Sequence, residues 1–147
     1  MKTILFLLGV CIVILFAAGC MSPAPPSGST TGPTMPSYLK PQPTSVVPPS
    51  YSVSIQIQKN TIPTNPWISV VYEGQTGIVL PSVVEAKVIR SDGIIEQESA
   101  RNPPKGTQLL FNGTKTTDRV IVNVTYIDGS AYTVRDELVP FQNINPA

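Results

Sequence analysis

Histidine is absent from the 147-residue chain. That removes Ser-His-Asp and Cys-His constellations, imidazole metal ligands and the usual near-neutral general base. Cysteine is scarce, with only Cys11 and Cys20, so a disulfide framework and a multi-thiolate metal site are excluded. Charged residues make up 13% of the chain, about half the usual quarter. With a formal net charge of +1 and ten dispersed Lys and Arg, there is no basic stripe for nucleic acid and no acidic tail. Neither a glycine-rich phosphate loop nor a twelve-residue calcium loop occurs. No cofactor is expected.

The composition falls into three blocks. Residues 1–20, MKTILFLLGVCIVILFAAGC, carry one charge, Lys2, before an apolar and small-residue run from Ile4 to Cys20. A positive start, an apolar stretch and the small Ala17-Ala18-Gly19 form a secretory signal pattern. Small-small-Gly-Cys resembles the lipobox of exported lipoproteins, which implies that Cys20 is lipidated and becomes the first mature residue. It departs from the usual pattern in placing Ala17 where a larger aliphatic residue is typical. A two-chain lipid would hold the protein stably, at about 0.8 kcal/mol per buried CH₂. Two other readings stand beside it: an uncleaved span at the short limit for crossing a bilayer, with Lys2 inside, and ordinary cleavage to a secreted protein. All three place the rest of the chain outside the cytoplasm. The expected location is the outer face of the cytoplasmic membrane, the membrane itself being a partner through Cys20. Cleavage would discard Cys11.

Residues 21–50 hold nine Pro, ten Ser or Thr, and Lys40 as the only charge. Proline removes backbone donors and small polar residues bury little apolar area, so this block is expected to be a disordered or partly polyproline II linker. As a continuous polyproline II helix it would reach on the order of 90 Å at about 3.1 Å per residue.

Residues 51–147 read as a folded domain. Tyr51, Val53, Ile55 and Ile57 alternate with Ser52, Ser54, Gln56 and Gln58, the period of a strand with one apolar face. Trp67 to Tyr72 reads as a second strand, with a short extension at Ile78 to Leu80. Ser82 to Arg90 fits a helix capping box at Ser82-Val-Val-Glu85, but its valines favour the pleated state. Asp92-Gly93 then turns the chain into Ile94 to Glu98. Ser99 to Gly106 reads as a loop and Thr107 to Phe111 as a strand. Val120, Val122, Val124 and Tyr126 alternate, Asp128-Gly129 turns the chain, and Tyr132, Val134 and Leu138 return. About seven short strands without a helix predict an all-β sandwich of two antiparallel sheets, immunoglobulin-like or, lacking a disulfide, closer to fibronectin type III. Trp67 is the expected largest core residue, and Tyr51, Tyr126 and Tyr132 fall on core-facing positions.

The whole plan, AAGC, a Pro/Ser/Thr linker and a domain ending in VNVTYIDGSAYTVRDEL, resembles small exported lipoproteins of methanogenic archaea with immunoglobulin-like domains. The resemblance implies a cell-surface lipoprotein; it carries over no catalytic or binding residue.

Chemistry is sparse. Ser37-x-x-Lys40, Ser91-Asp92-Gly93 and Lys115-Thr116-Thr117 loosely echo the motifs of penicillin-recognising enzymes. The first lies in the linker, and the other two depart from the expected triplets. The nine carboxylates, Glu73, Glu85, Asp92, Glu96, Glu98, Asp118, Asp128, Asp136 and Glu137, read as solvated-face residues rather than a hydrolase pair. Asp92, Asp118 and Asp128 have the oxygen chemistry calcium needs, yet Asp-Gly is ordinary hairpin chemistry. No catalytic and no metal residue is assigned. Asn112-Gly113-Thr114 and Asn123-Val124-Thr125 match the N-glycosylation pattern, one in an expected turn and one on an outward-facing strand position.

The expectation is a membrane-anchored, non-enzymatic β-sandwich that binds a protein or glycan partner through a face, its end loops near Glu98 to Lys105, or an open edge along residues 51–58. The alternatives are a structural envelope component and, more remotely, a surface hydrolase.

Overall fold

The computed structural model describes residues 35–143, so the leader, Cys20 and the first part of the linker lie outside the described residues. Alternation produces strands throughout the rest: β1 (Val53–Lys59), β2 (Trp67–Gln75), β3 (Pro81–Ile89), β4 (Ile95–Arg101), β5 (Thr107–Asn112), β6 (Thr117–Tyr126) and β7 (Ala131–Pro140). All pairings are antiparallel. They form a three-stranded sheet, β1-β2-β5, and a four-stranded sheet, β4-β3-β6-β7. Among the described residues no helix is long and apolar enough to cross a membrane.

The inward faces share one core. Ile55, Ile68, Val70, Tyr72, Leu109 and Phe111 come from the smaller sheet, and Val84, Ala86, Val88, Val120, Val122, Val124 and Tyr126 from the larger. Burying each of the larger apolar side chains stabilises the fold by about 1.5–3 kcal/mol, so the valines of β6 anchor the arrangement. The rings of Tyr51, Tyr126 and Tyr132 meet at centroid distances of 4.9, 5.3 and 6.0 Å, two of the three contacts edge-to-face, and the Tyr126 hydroxyl donates to the Tyr51 carbonyl. Burial pushes the Tyr126 phenol up to about 12. Gly93 and Gly129, at φ of 86° and 84°, supply the left-handed residue of the two Asp-Gly turns.

Four local expectations are corrected. Trp67 is only half-buried, and Tyr126 is the largest fully buried side chain. Ile78 to Leu80 forms no strand: Ile78 and Leu80 are exposed in the β2–β3 connection, which changes sheets. β4 runs on to Arg101, so the connecting loop shrinks to residues 102–106. Two carboxylates assigned to solvated faces are buried, Asp118 at 0% residue exposure and the Asp136 side chain at 3%.

The linker also differs in its second half. Of residues 37–50, expected to be disordered, the stretch 38–45 lies against the four-stranded sheet. Leu39 is 5% exposed, and the Tyr38 carbonyl accepts from Arg119 Nη1 at 3.0 Å. The Gln42 N–H donates to Asp136 Oδ2 at 2.8 Å. Ser45 exchanges two hydrogen bonds with Thr133 of β7, each 3.0 Å. The segment thus covers the open edge of β7, which would otherwise offer unpaired backbone groups. Its end is clamped at Gly77, whose N–H donates to Ser52 while a β-carbon there would collide with the Ser50 carbonyl.

Candidate binding face

The two sheets present opposite chemistry to solvent. On the four-stranded sheet, Glu85 and Lys87 alternate with buried Val84, Ala86 and Val88 and so face outward. Arg119 grips Asp136 through two hydrogen bonds of 2.7 and 2.6 Å. Burial pushes the Asp136 carboxyl up, but Arg119 and the Gln42 N–H outweigh it and hold it below the usual carboxylate range. This outer face is charged and partly strapped by residues 37–50.

The outer face of β1-β2-β5 is uncharged over three rows. Register places Gln58 beside Ser69 and Leu110, then Gln56 beside Val71 and Gln108, with Trp67 opposite Asn112 in the first row. Directly cross-strand residues share a face, which sets these side chains side by side. Glu73, hydrogen-bonded by Ser54 at 2.9 Å, and Lys105 close the far end. A depression of about 360 Å³ lies at the Trp67 end, lined by Asn65, Trp67, Gln108, Leu110, Phe111 and Asn112. A second, of about 460 Å³, sits by Ser54, Val71 and Glu73. Both fall at the low end of ordinary ligand sites. Gln108 spends its Nε2 on Ser69 Oγ at 2.7 Å. Among the described residues the side-chain amides of Gln56, Gln58 and Asn65 make no hydrogen bond.

The glycosylation candidates separate. Asn112 is the exposed last residue of β5; its Nδ2 donates to Glu96 Oε1 at 3.2 Å, and its backbone N–H donates to Glu96 Oε2 at 3.1 Å. The hydroxyl of Thr114, the third residue of its triplet, donates to Asp118 at 2.6 Å. Asn123 is half-buried mid-sheet, accepting from Thr133 Oγ1 at 2.8 Å and donating to Glu85 at 3.5 Å. Asn112 lies at the Trp67 depression and Asn123 on the other sheet. Cys20 lies outside the described residues.

Asp118 accepts from four donors. Its carboxylate accepts from Lys59 Nζ at 2.7 Å, the Ser91 N–H at 2.9 Å, and the Thr114 N–H and hydroxyl at 2.8 and 2.6 Å. Lys59 Nζ also reaches the carbonyls of Thr116 and Val139 at 2.8 and 3.3 Å. Burial pushes the Asp118 carboxyl up, but Lys59, Thr114 and the backbone donors together hold it below its ordinary range. The pair ties β1 of one sheet to β6 of the other.

No protein-family model, no curated protein and no solved structure matches the chain. Fold and site therefore define its class: a two-sheet all-β domain with one charged, strapped face and one open, amide-rich face.

Proposed function

We propose that the protein is a surface-anchored, non-catalytic binding module, a lipoprotein held on the outer face of the cytoplasmic membrane through Cys20. The observation that carries this reading is the path of residues 37–50. Residues 38–45 lie along the four-stranded sheet, and none of the described linker residues lines the depressions on the outer face of β1-β2-β5, which leaves that face available to a partner. The finer fold reading is a fibronectin-type-III-like sandwich. It is supported by β4, which pairs with β3, whereas the constant-type immunoglobulin order groups the fourth strand with the fifth. The plan resembles exported lipoproteins of methanogenic archaea, and the two-signal logic of stable anchoring is met by a double-chain lipid on one cysteine.

The test is fractionation of expressing cells, combined with protease shaving of intact cells. The domain is expected in the membrane fraction and accessible from outside, and a Cys20→Ala variant is expected to be released or retained as unprocessed precursor. Protein that stays in the cytosol, protected from protease, would refute the reading.

A further inference from the structure

We propose that the outer face of β1-β2-β5 binds a neutral oligosaccharide chain, with one sugar ring seated on Trp67; this rests on the reading of the protein as a surface binding module. Trp67 is half-buried and lines the depression together with Leu110 and Phe111. A pyranose ring has an apolar C–H face and a rim of hydroxyls. An indole offers the flat apolar surface for the first. Side-chain amides, each both donor and acceptor, match the second.

The amides are in place and free. Gln56 and Gln58 stand exposed on β1, and Asn65 borders the depression itself. From Trp67 to Glu73 the face extends about 20 Å along β2, at about 3.3 Å per residue, and holds a depression at each end. That length suits a chain of sugars rather than a single ring.

Other occupants fit less well. An anionic ligand would shed hydration beside the carboxylates of Glu96, at Asn112, and of Glu73 at the far end. A peptide strand would seek a sheet edge, yet the Ile55 carbonyl on the β1 edge accepts from Arg135 at 3.5 Å and the Asn112 N–H on the β5 edge donates to Glu96. A second copy would find only Trp67, Val71 and Leu110 as apolar contacts on this face, too little for the core of a stable dimer.

Trp67 is the only tryptophan in the chain, so its fluorescence reports on the site directly. Full-length protein in detergent, with an intact mass showing Asn112 unmodified, would be titrated with neutral gluco-, manno-, galacto- and chito-oligosaccharides. The expected result is a saturable emission shift with at least one of them. Affinity should fall at least about tenfold in Trp67→Ala, as for a central aromatic contact, with Trp67→Phe retaining most of it; in these two variants binding is read by calorimetry. Gln56→Ala/Gln58→Ala, at exposed positions that do not threaten folding, should weaken binding several-fold, and Lys87→Ala on the other sheet should not. Absence of any saturable response at millimolar concentration, binding untouched by the Trp67 and glutamine variants, or self-association abolished by Trp67→Ala would each overturn the proposal. If the domain is displayed on cells but binds no sugar, the glycan site fails while the surface reading survives. Sugar binding by a protein found inside the cell would do the reverse.

Discussion

Removing Asp118 should be the most damaging polar substitution in the domain. Its side chain and that of Lys59 are 0% and 2% exposed at 2.7 Å, so neither ion can recover water if the other is lost. Asp118→Ala leaves the Lys59 ammonium facing only two carbonyls and strips acceptors from the Ser91 and Thr114 N–H groups. Breaking a buried pair from one side costs about 3–5 kcal/mol, equivalent to a Tm drop of about 15–25 °C in a domain near 100 residues. Lys59→Met should cost less, because the carboxylate keeps its Ser91 and Thr114 donors. Asp118→Asn combined with Lys59→Met should cost less than the two single changes added, as expected for directly coupled groups. The control is Asp92→Ala, which removes the exposed partner of a half-buried Arg90 that keeps Glu96 and should shift stability by no more than about 1 kcal/mol. Far-UV circular dichroism melts and urea midpoints give all five values, the single Asp118→Asn included. If Asp118→Ala and Asp92→Ala proved equally mild, the buried bridge between the sheets would be refuted.

The pH dependence follows from the same groups. The Asp118 and Asp136 carboxyls sit below their ordinary value in the fold. Their stabilisation is therefore present above the unfolded value near 3.8 and is lost as pH falls through the folded values. Urea midpoints should be flat near neutrality and decline below about pH 4, less steeply in Asp118→Asn. At the alkaline end Tyr126 is raised to about 12, so stability should fall between about pH 10 and 12 as the unfolded state ionises first; Tyr126→Phe should shallow that slope without abolishing it, because the Tyr72 and Tyr51 phenols are raised as well. Leu39→Ala should cost about 2 kcal/mol, the low end for a buried leucine, and should open residues 40–48 to proteolysis before the sandwich unfolds. Gly77→Ala should cost about 1–3 kcal/mol by forcing the chain near Ser50 away from the β2–β3 connection, read as a lower melting temperature.

Much of the fold was legible because period-two alternation and Asp-Gly turns are local signals. β1, β3 and the β6–β7 hairpin follow directly from them. The misplacement of Trp67 arose where both faces of β2 carry apolar residues. Parity held the answer, since Trp67 shares its face with Ser69 and Val71 while Ile68, Val70 and Tyr72 face the core. The buried ion pair was legible in the same way. Lys59 continues the inward series Val53, Ile55, Ile57, and Asp118 begins the inward series Val120, Val122, Val124. Charge alone suggested solvent; only the pairing of the two sheets brings the opposite charges together. The strap was hidden by composition, because a Pro-rich segment can be ordered by a few long-range contacts such as Leu39 and Ser45 that no local pattern announces. The amide-rich face needed register between β1, β2 and β5, which a single sequence does not contain.

The measurement that bears most directly on the proposed role is the intact mass of protein extracted from its native membrane, beside a Cys20→Ala variant. A species beginning at Cys20 with added lipid mass, absent from the variant, is the expected result. A mass that retains residues 1–19, or a lipid-free species found only in the medium, would contradict it.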